Sequence, residues 1–338
     1  GIGNTVINAS GRIKGLPDAK KAYFDLNIKE LRSTAKDING FIPAGTIPDN
    51  ISIPENIAVK GSFKGTLNNI NANMNLNSSY GDVAVKGIFD QSRKGSEKYD
   101  AVVDLRNFNV GKLIKNDSIG KITLRANVKG TGLDPQKANA KLKAILEKAE
   151  FNGYTYRNLI VDGNISKGYF KATAGMDDPN LDFDLDASGG FKGKYPYGKI
   201  RLNVDIADLE KLRLHAGPYK LRGNVDADID DANPDNLNGR IALHNFIFAN
   251  EKEQFALDSV KIAAITTADT TAIRVDSQFL KANAIGKYKI TQLPAAIQHT
   301  IAKYYNAGKA QTLEKPENPQ QITFTLKVDN DPVITKLV

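Results

Sequence analysis

The stretch Tyr219–Ala227, YKLRGNVDA, shows the pattern on which the fold of this chain depends. Every second residue, beginning with the tyrosine, is apolar or small, and the residues between them are Lys, Arg, Asn and Asp. An alternation with a period of two is typical of a β-strand that has one apolar face and one face in water. The same pattern occurs in three more strands, centred on Gly11, Gly61 and Ala126. The sequence therefore predicts an all-β, repeating structure with variable insertions between the repeats.

In each of the four copies a small residue occupies the middle of the apolar face. These residues are Gly11, Gly61, Ala126 and Gly223. A closed core would be expected to hold Val, Ile or Leu at such positions. Glycine there permits a sharp bend or close packing of strands. The small residues also fit a U-shaped section whose floor carries a free lane for an elongated apolar ligand, and the two interpretations are compatible.

The charge of the chain raises nucleic acid as a partner but does not favour it. The 338 residues carry a net charge of +8, and 38 acidic residues are threaded through the same strands as the basic ones. A nucleic-acid surface needs a segregated basic stripe with stacking aromatic residues. The charges therefore predict a solvated outer face, with weak attraction to anionic lipid headgroups as an open alternative. The absence of cysteine excludes disulfides and thiolate chemistry.

Alternating runs continue along the whole chain, which we interpret as one repetitive β-groove segment over residues 1–338. Strands are predicted at 7–15, 23–28, 57–66, 70–77, 83–89, 99–105, 122–130, 159–165, 181–186, 200–206, 219–227, 239–248, 255–265, 272–279 and 322–328. No apolar run approaches the ~18 residues of a membrane-spanning helix. Because the sequence begins Gly-Ile-Gly and stops in mid-pattern, we expect it to be a fragment of a longer chain.

Two stretches in the first half of the chain favour short helices, and a third is ambiguous. A short helix is predicted at 29–37 and a single helical turn at 109–114. Residues 138–151 combine high helix propensity with alternation, and the alternation favours a strand. The prolines in residues 41–56 exclude a central strand there. They predict an extended edge, or a loop that crosses the end of the structure.

One amphipathic helix is predicted near the carboxyl end, at 293–306, as part of an insertion in the repeat. Pro294 lies at a first-turn position, and apolar residues recur after it at helical spacing. We expect this helix to cap or plug part of the sheet. A polar, proline-containing loop is predicted to follow it at 309–321.

Residues that could support enzyme chemistry are sparse. The histidines His215, His244 and His299 lie far apart, and none has a second ligand at metal-binding spacing. The most metal-like string is Asp226–Asp231, with three acids at alternate positions. A calcium loop requires glycine at its sixth position and an acid at its twelfth, and this string has neither. We therefore expect a protein that is not an enzyme, without catalytic residues, metal or cofactor.

Several stretches resemble the TamB family, within the AsmA-like group. They are the glycine-centred strands, DLEKLRL at 208–214, DINGFIPAGTIPDNISIPEN at 37–56, NGYTYRNLIVDGNI at 152–165 and ITQLPAAIQHTIAKYYN at 290–306. The resemblance covers most of the chain. Its motifs are structural, so it transfers no individual functional residue.

The resemblance implies a β-taco, which is a long, curled antiparallel sheet that forms a U-shaped groove with an apolar lining. It implies bridge-like lipid transport, in which phospholipid acyl chains cross the periplasm of a Gram-negative cell for outer-membrane biogenesis. The parent protein is expected to be anchored in the inner membrane. The groove lining is then predicted to consist of Ile13, Val59, Phe63, Leu124, Val128, Leu181, Phe183, Leu185, Leu202, Val204, Leu221, Val225, Phe324 and Leu326.

Physical chemistry supports a continuous lane for such a ligand. Each methylene kept from water contributes about 0.8 kcal/mol, so a 16-carbon chain is stabilised by ~12 kcal/mol. A lipid that crosses water must retain most of this at every step, which isolated pockets do not provide. We expect Val225 to face the lane and its neighbour Asn224 to face water.

Two other functions remain open at this point. The family is also viewed as a translocation and assembly module, which helps outer-membrane β-barrel proteins to assemble together with a barrel partner. Such a module would hold client strands by strand pairing or in the groove. A purely structural repeat protein would instead have a filled core and no ligand.

Overall fold

The computed structural model describes residues 3–16, 18, 21–41, 47–304, 318–329 and 331. Within these residues the chain is mostly antiparallel β with a few short helices. Its 18 strands belong to one sheet, which is not closed into a barrel. The prediction of an all-β fold with minor helical content is therefore confirmed.

The strands follow one another at short intervals. They are β1 (Val6–Lys14), β2 (Tyr23–Thr34), β3 (Asn56–Thr66), β4 (Asn69–Ser78), β5 (Gly81–Asp90), β6 (Lys98–Asn109), β7 (Ile119–Thr131), β8 (Asn139–Phe151), β9 (Tyr154–Ser166), β10 (Tyr169–Asp178), β11 (Leu181–Lys192), β12 (Tyr195–Asp208), β13 (Lys220–Asp231), β14 (Asn238–Ala249), β15 (Gln254–Thr266), β16 (Thr271–Ser277), β17 (Leu280–Lys287) and β18 (Gln321–Val328). The helices of the described residues are α1 (Ala35–Phe41), α2 (Val110–Ile114) and α3 (Leu293–Tyr304), with 3-10 turns at Pro234–Asn236 and Ile290–Gln292.

The registers describe an antiparallel meander. From β1 to β10, and again from β12 to β18, each strand pairs with the next strand in the chain. The residues fall into two compact units. Unit 1 consists of residues 1–184 and 211–216, and unit 2 of residues 185–210 and 217–338, so that β11 contributes to both.

Within unit 1, opposite residues keep the two faces of the sheet chemically distinct. On β3 and β4, for example, Val59 lies opposite Leu76, whereas Lys64 lies opposite Asn71. Directly opposite residues of an antiparallel pair project from the same face. The apolar residues of successive strands are therefore placed side by side on one face, and the polar residues on the other.

Bulges interrupt the alternation near one end of several strands. On β6, Leu105 and Phe108 lie opposite apolar residues of β7 and belong to the same face, because two residues bulge between them. One of these is Asn107, whose φ is 47°, a left-handed conformation that asparagine tolerates better than most residues. A bulge thus lets a strand place two apolar residues three positions apart on one face.

This spacing explains why the start of the helix predicted at 29–37 was placed too early. β2 continues to Thr34 and bulges between Ile28 and Leu31, which both lie on the apolar face. The resulting i, i+3 spacing imitates the periodicity of a helix. The helix that does form, α1, begins only at residue 35.

Other expectations for individual elements were met. The ambiguous residues 138–151 form strand β8, and the helical turn predicted at 109–114 is α2, which Asn109 caps by accepting a hydrogen bond from the amide of Lys112. Two strands, β10 and β17, were not predicted.

The helix near the carboxyl end is present but does not cap the sheet in the described part of the chain. α3 covers 293–304, and its residues Ile297 and Ile301 are 55% and 54% exposed. These two exposed side chains do not support the expectation that the helix caps or plugs part of the sheet. Of the predicted loop at 309–321, residues 309–317 lie outside the described residues.

Candidate functional site

The apolar face of unit 1 contains four parallel rows that run through all of β1 to β10, each formed by directly opposite residues. The two middle rows are Ala9, Ile28, Gly61, Met74, Val85, Val103, Ala126, Ala144, Val161 and Ala174, and Gly11, Leu26, Phe63, Ala72, Gly87, Ala101, Val128, Leu142, Gly163 and Ala172. More than half of these residues are glycine or alanine. Small side chains thus predominate along the middle of the face.

The two outer rows carry larger side chains. One row is Ile7, Leu31, Val59, Leu76, Val83, Leu105, Leu124, Leu146, Leu159 and Met176, and the other is Ile13, Phe24, Gly65, Ile70, Phe89, Tyr99, Gly130, Ala140, Ile165 and Phe170. The one polar group among the four rows is the hydroxyl of Tyr99, which donates to the carbonyl of Gly132 at 3.1 Å. Large residues are therefore more frequent in the outer rows than in the two middle rows, here named the central band, which has no hydrogen-bonding side chain.

The dimensions of this band suit an extended hydrocarbon chain. Alternate residues on a strand are about 6.8 Å apart, so two rows define a band roughly one such spacing wide. Ten strands at about 4.8 Å each extend it over about 43 Å along the sheet.

The apolar face is only partly shielded from solvent. Val59, Phe63, Leu124 and Val128 all remain partly exposed. Within the described ranges the buried apolar residues are few. They are Ala22, Phe108, Ala138, Met176, Val204, Ala207, Leu212, Phe255, Ala264 and Tyr288. A sheet packed against a second layer would bury such a face, so the small number of core residues leaves it available to a ligand.

Glycines of the middle rows do not all have the same role. Gly61 has a φ of 138°, and a Cβ built on it would overlap the carbonyl oxygen of Asn73 on the neighbouring strand. Gly11 has a φ of 148° and would collide in the same way with the carbonyl of Asp25. These two glycines allow a backbone conformation and a close approach that other residues cannot adopt. Gly11 and Gly61 are therefore needed for the backbone conformation at least as much as for the space above the sheet.

Gly163 differs from these two. It is not in the left-handed region, and a Cβ there would be 3.8 Å from the Cβ of Ala172, an ordinary contact. Its missing side chain therefore leaves space on the face.

The predicted floor residues do not all occupy the same position. Gly61 and Ala126 share one middle row, but Gly11 lies in the other, together with Phe63 and Val128. The alignment of the sequence repeats placed Gly11 and Gly61 at the same point, and this was wrong by one alternate position. Ile7 shares its row with Val59 and Ile13 shares its row with Gly65, so β1 and β3 are offset by 52 residues on both sides of the β2 bulge, whereas the alignment assumes 50.

The predicted lining residues of unit 1 lie on this face. Phe63 and Val128 belong to a middle row, Val59 and Leu124 to the leucine-rich outer row, and Ile13 to the aromatic outer row. On β11, Leu181 and Phe183 in unit 1 and Leu185 in unit 2 are each partly exposed.

Unit 2 has an apolar face of its own. One row is Leu202, Val225, Leu243 and Val260, the next is Ile200, Ala227, Ile241, Ile262, Val275, Ala282 and Leu326, and a third is Gly198, Ile229, Gly239, Ala264, Ile273, Ala284 and Phe324. The first row contains no small apolar residue and continues to Ser277, whereas the other two rows mix small and large residues, so no central band like that of unit 1 forms.

The opposite orientations expected for Val225 and Asn224 agree with the register. Val225 lies between Leu202 and Leu243, whereas the side chain of Asn224 donates a hydrogen bond of 2.9 Å to Asn203 on the polar face. Gly223 lies opposite Val204, and a Cβ there would overlap the ring of Phe246.

Aromatic residues gather at one side of the apolar face in unit 2. Tyr219 and Phe248 have ring centroids 5.1 Å apart, and Phe248 stacks on Phe255 at 5.2 Å. Phe248 also lies opposite the predicted lining residue Leu221. These rings form a wall of large side chains.

A loop lies along one side of the apolar face in unit 1. The ring of Phe108 on the apolar face meets the ring of Tyr80 edge-on at 6.5 Å. The hydroxyl of Tyr80 shares a hydrogen bond of 2.8 Å with the side chain of Ser52, and the amide of Ser52 donates to the carbonyl of Leu113 at 2.7 Å. Residues 47–55, here named the crossing loop, therefore lie over the strand ends beside the apolar face, which agrees with the loop predicted within 41–56. Residues 42–46 of that prediction lie outside the described residues.

The polar face is crossed by ion pairs. Asp100 with Lys129 at 2.7 Å is an example, and the hydrogen bond that Lys129 donates to this carboxylate raises the pKa of Lys129 above its usual range. Acids of the string 226–231 also lie close to basic side chains. Asp228 lies 3.3 Å from Arg240, and Asp226 lies 3.8 Å from the His244 ring. In the part of the chain that the structure describes, no cluster of three metal-ligating side chains occurs.

The sequence contains a signal for the bulges that the alternation of apolar and polar residues does not reveal. The order apolar–basic–Asn–apolar occurs as LRNF at 105–108, YRNL at 156–159 and LHNF at 243–246. Asn158 and Asn245 have φ values of 53°, close to that of Asn107. This order marks the places at which a strand turns two apolar residues toward one face.

No helix among the described residues has the length and apolar character needed to span a membrane. Comparisons of the chain with protein-family models, with curated proteins and with solved structures gave no match in any of the three.

Proposed function

We propose that this protein is a phospholipid transport conduit, in which acyl chains lie on the apolar face of the sheet while headgroups stay in water. The observation that carries the proposal is the central band of unit 1, to which every strand except β2 contributes at least one glycine or alanine. It runs across ten strands between two rows of larger side chains and remains partly exposed. An acyl chain needs no hydrogen-bonding partner, and the band offers none.

The band also satisfies the energetic requirement for transport. Each methylene that leaves water contributes about 0.8 kcal/mol, so transfer between isolated pockets would repeatedly expose the chain at high cost. The rows continue from strand to strand without a charged side chain. A lipid can thus advance by small steps while its chains stay in apolar contact.

The location and setting are part of the same proposal. The resemblance to the TamB and AsmA-like group favours a bridge across the periplasm in the service of outer-membrane biogenesis, with the parent protein anchored in the inner membrane. We propose a role without catalysis, because the candidate surface contains no nucleophile or acid–base pair among its described residues.

Photo-crosslinking in living Gram-negative cells tests the proposal. A photoreactive amino acid replaces Val128 on the apolar face, and in a separate variant replaces Asn127 on the polar face of the same strand. Val225 and Asn224 provide the same matched pair in unit 2. Phospholipid adducts at the two valine positions, with none at the asparagine positions, are the expected result. Absence of lipid adducts at either valine in a normally folded protein would overturn the conduit.

A specific observation favours assembly of outer-membrane β-barrel proteins as a second candidate. Among the described strands, β18 is paired with β17, and all eight of its residues are exposed, Phe324 to 63%. An exposed strand with alternating apolar side chains is suited to adding a client strand by backbone pairing. Protein adducts instead of lipid adducts at Val128 and at Phe324 would favour this function.

A further inference from the structure

The polar face of unit 1 contains a row of lysines that the proposed function does not use. Lys129, Lys141, Asn164 and Lys171 lie directly opposite one another on the four successive strands β7 to β10. Two of the lysines, Lys129 and Lys141, are immediate cross-strand neighbours. Like charges in directly opposite positions are destabilising, so this arrangement has a cost in folding.

Some basic residues elsewhere on this face lie near acids on the neighbouring strand, as in the ion pairs Lys64–Asp25 at 3.7 Å and Lys143–Asp162 at 2.9 Å. On β8 and β9, by contrast, Lys148 and Arg157 form a second directly opposite basic pair, so positive charge gathers on the same strands as the lysine row. In the lysine row, Asp100 at one end is the ion-pair partner of Lys129. Within the described residues, Lys141 and Lys171 form no ion pair. The row therefore carries a surplus of positive charge, which an external anion would neutralise.

Exposed apolar side chains accompany the row on the same face. Ile145 and Ile160 lie opposite each other on β8 and β9 and are 52% and 58% exposed. Tyr169, two residues before Lys171 on β10, is 44% exposed. These side chains project from the face opposite to the apolar face, so they do not belong to the proposed lipid band.

We propose that the lysine row, together with Ile145 and Ile160, binds the surface of a bilayer that contains anionic phospholipids. Lysine is depleted at protein–protein interfaces, where arginine is preferred, so a row of lysines argues against a folded protein partner. An ammonium group binds phosphate as a point charge and needs no fixed geometry, which suits mobile headgroups. Isoleucine and tyrosine are suited to the boundary between headgroups and acyl chains.

This proposal does not depend on transport by the apolar face. A protein that binds membranes through its polar face could have any function on the other face. Conversely, a conduit without this surface would still hold acyl chains in its central band.

Co-sedimentation of the 338-residue chain with vesicles tests the proposal. The vesicles consist of phosphatidylcholine alone, or of phosphatidylcholine with one third phosphatidylglycerol. Binding is expected to the anionic vesicles, and it should fall as salt shortens the range of the attraction. Each lysine near an anionic surface strengthens binding about fivefold, so the triple variant K129Q/K141Q/K171Q should bind at least tenfold more weakly.

A matched control separates the row from the general charge of the chain. The triple variant K60Q/K64Q/K86Q removes the same charge from the polar face of β3 to β5, where all three lysines are also exposed. It should bind anionic vesicles as the unmodified protein does. The pair I145S/I160S should weaken binding severalfold without changing its salt dependence.

The outcome that overturns the proposal is equally specific. Equal binding by the two triple variants, whether strong or weak, would show that the row is not the binding surface. Binding to phosphatidylcholine alone that is unaffected by the row substitutions would assign membrane affinity to the apolar face. Thermal unfolding of each variant verifies that a loss of binding does not reflect a loss of folding.

Discussion

Strands β1–β3 and β8–β10 build the same apolar face, yet they use small residues for different purposes. In β1–β3, Gly11 and Gly61 have φ values of 148° and 138°, and a side chain at either would collide with the next strand. In β8–β10, Gly163 leaves space that a Cβ could enter without a clash. The first region needs glycine for its backbone, whereas the second needs it for the volume above the sheet.

This difference teaches that a small residue in the middle of an apolar strand is not by itself evidence for a ligand. A glycine at such a position can allow a bend in the strand, leave space for a ligand, or do both. Substitution of the glycine separates the two roles. Any side chain disrupts a bend that needs glycine, whereas only a large side chain fills the space above the sheet.

The largest effect is expected for Gly61→Ala. The alanine would have to adopt a φ that L-residues rarely adopt and would overlap the carbonyl of Asn73, so the free energy of unfolding should fall by about 3 kcal/mol. Urea denaturation followed by circular dichroism measures this. The matched control Gly163→Ala should change stability by less than about 0.5 kcal/mol. Equal losses in the two variants would abolish the distinction between the regions.

The second prediction concerns the space above Gly163. In Gly163→Leu the larger side chain should project into the central band without a backbone clash, so the protein should still fold. Lipid adducts of a photoreactive residue at Val128, in the same row, should decrease at least fivefold. Unchanged adduct formation in a folded variant would show that the band at Gly163 is not part of the lipid path.

A smaller effect is expected where the crossing loop is attached. Tyr80→Phe keeps the ring contact with Phe108 but removes the hydrogen bond to Ser52, which should cost about 1 kcal/mol. Hydrogen exchange of residues 47–55 should become faster, while exchange in β8–β10 should not change. If exchange accelerates equally in both regions, the loop supports the whole unit and not only the strand ends beside it.

The smallest effect is a dependence on alkaline pH in the second region. Burial raises the pKa of Tyr156, and the charge of Asp178 adds to this effect. Because the folded pKa exceeds the unfolded value, the stabilisation is complete below about pH 10 and is lost as pH rises through the folded pKa. Tyr156→Phe should reduce the loss of stability between neutral pH and about pH 11. An identical pH profile in the variant would contradict this assignment.

The sequence predicted the fold well because alternation reports directly on strands. Even residues 138–151, rich in helix-forming side chains, form a strand, since Ala144 and Leu146 continue the rows that contain Ala126 and Leu124 of β7. Alternation failed at the bulge of β2, where Ile28 and Leu31 are three residues apart.

The site was harder to predict from sequence. Which residues share a row depends on cross-strand register, and the register places Gly11 in the row of Phe63 instead of the row of Gly61. Whether a glycine bends the chain or leaves space depends on φ and on the neighbouring carbonyl. Neither property follows from the identity of the residue.

The pairing of each strand with the next one in the chain has a consequence for folding. Every strand in the defined registers finds its partner within a few tens of residues, so closing each loop costs little entropy, and contacts stay local. Such a sheet can grow by adding one hairpin at a time to an edge that is already formed, as repeat proteins do. Folding can then begin at the amino end while later strands are still being delivered, without waiting for a distant segment.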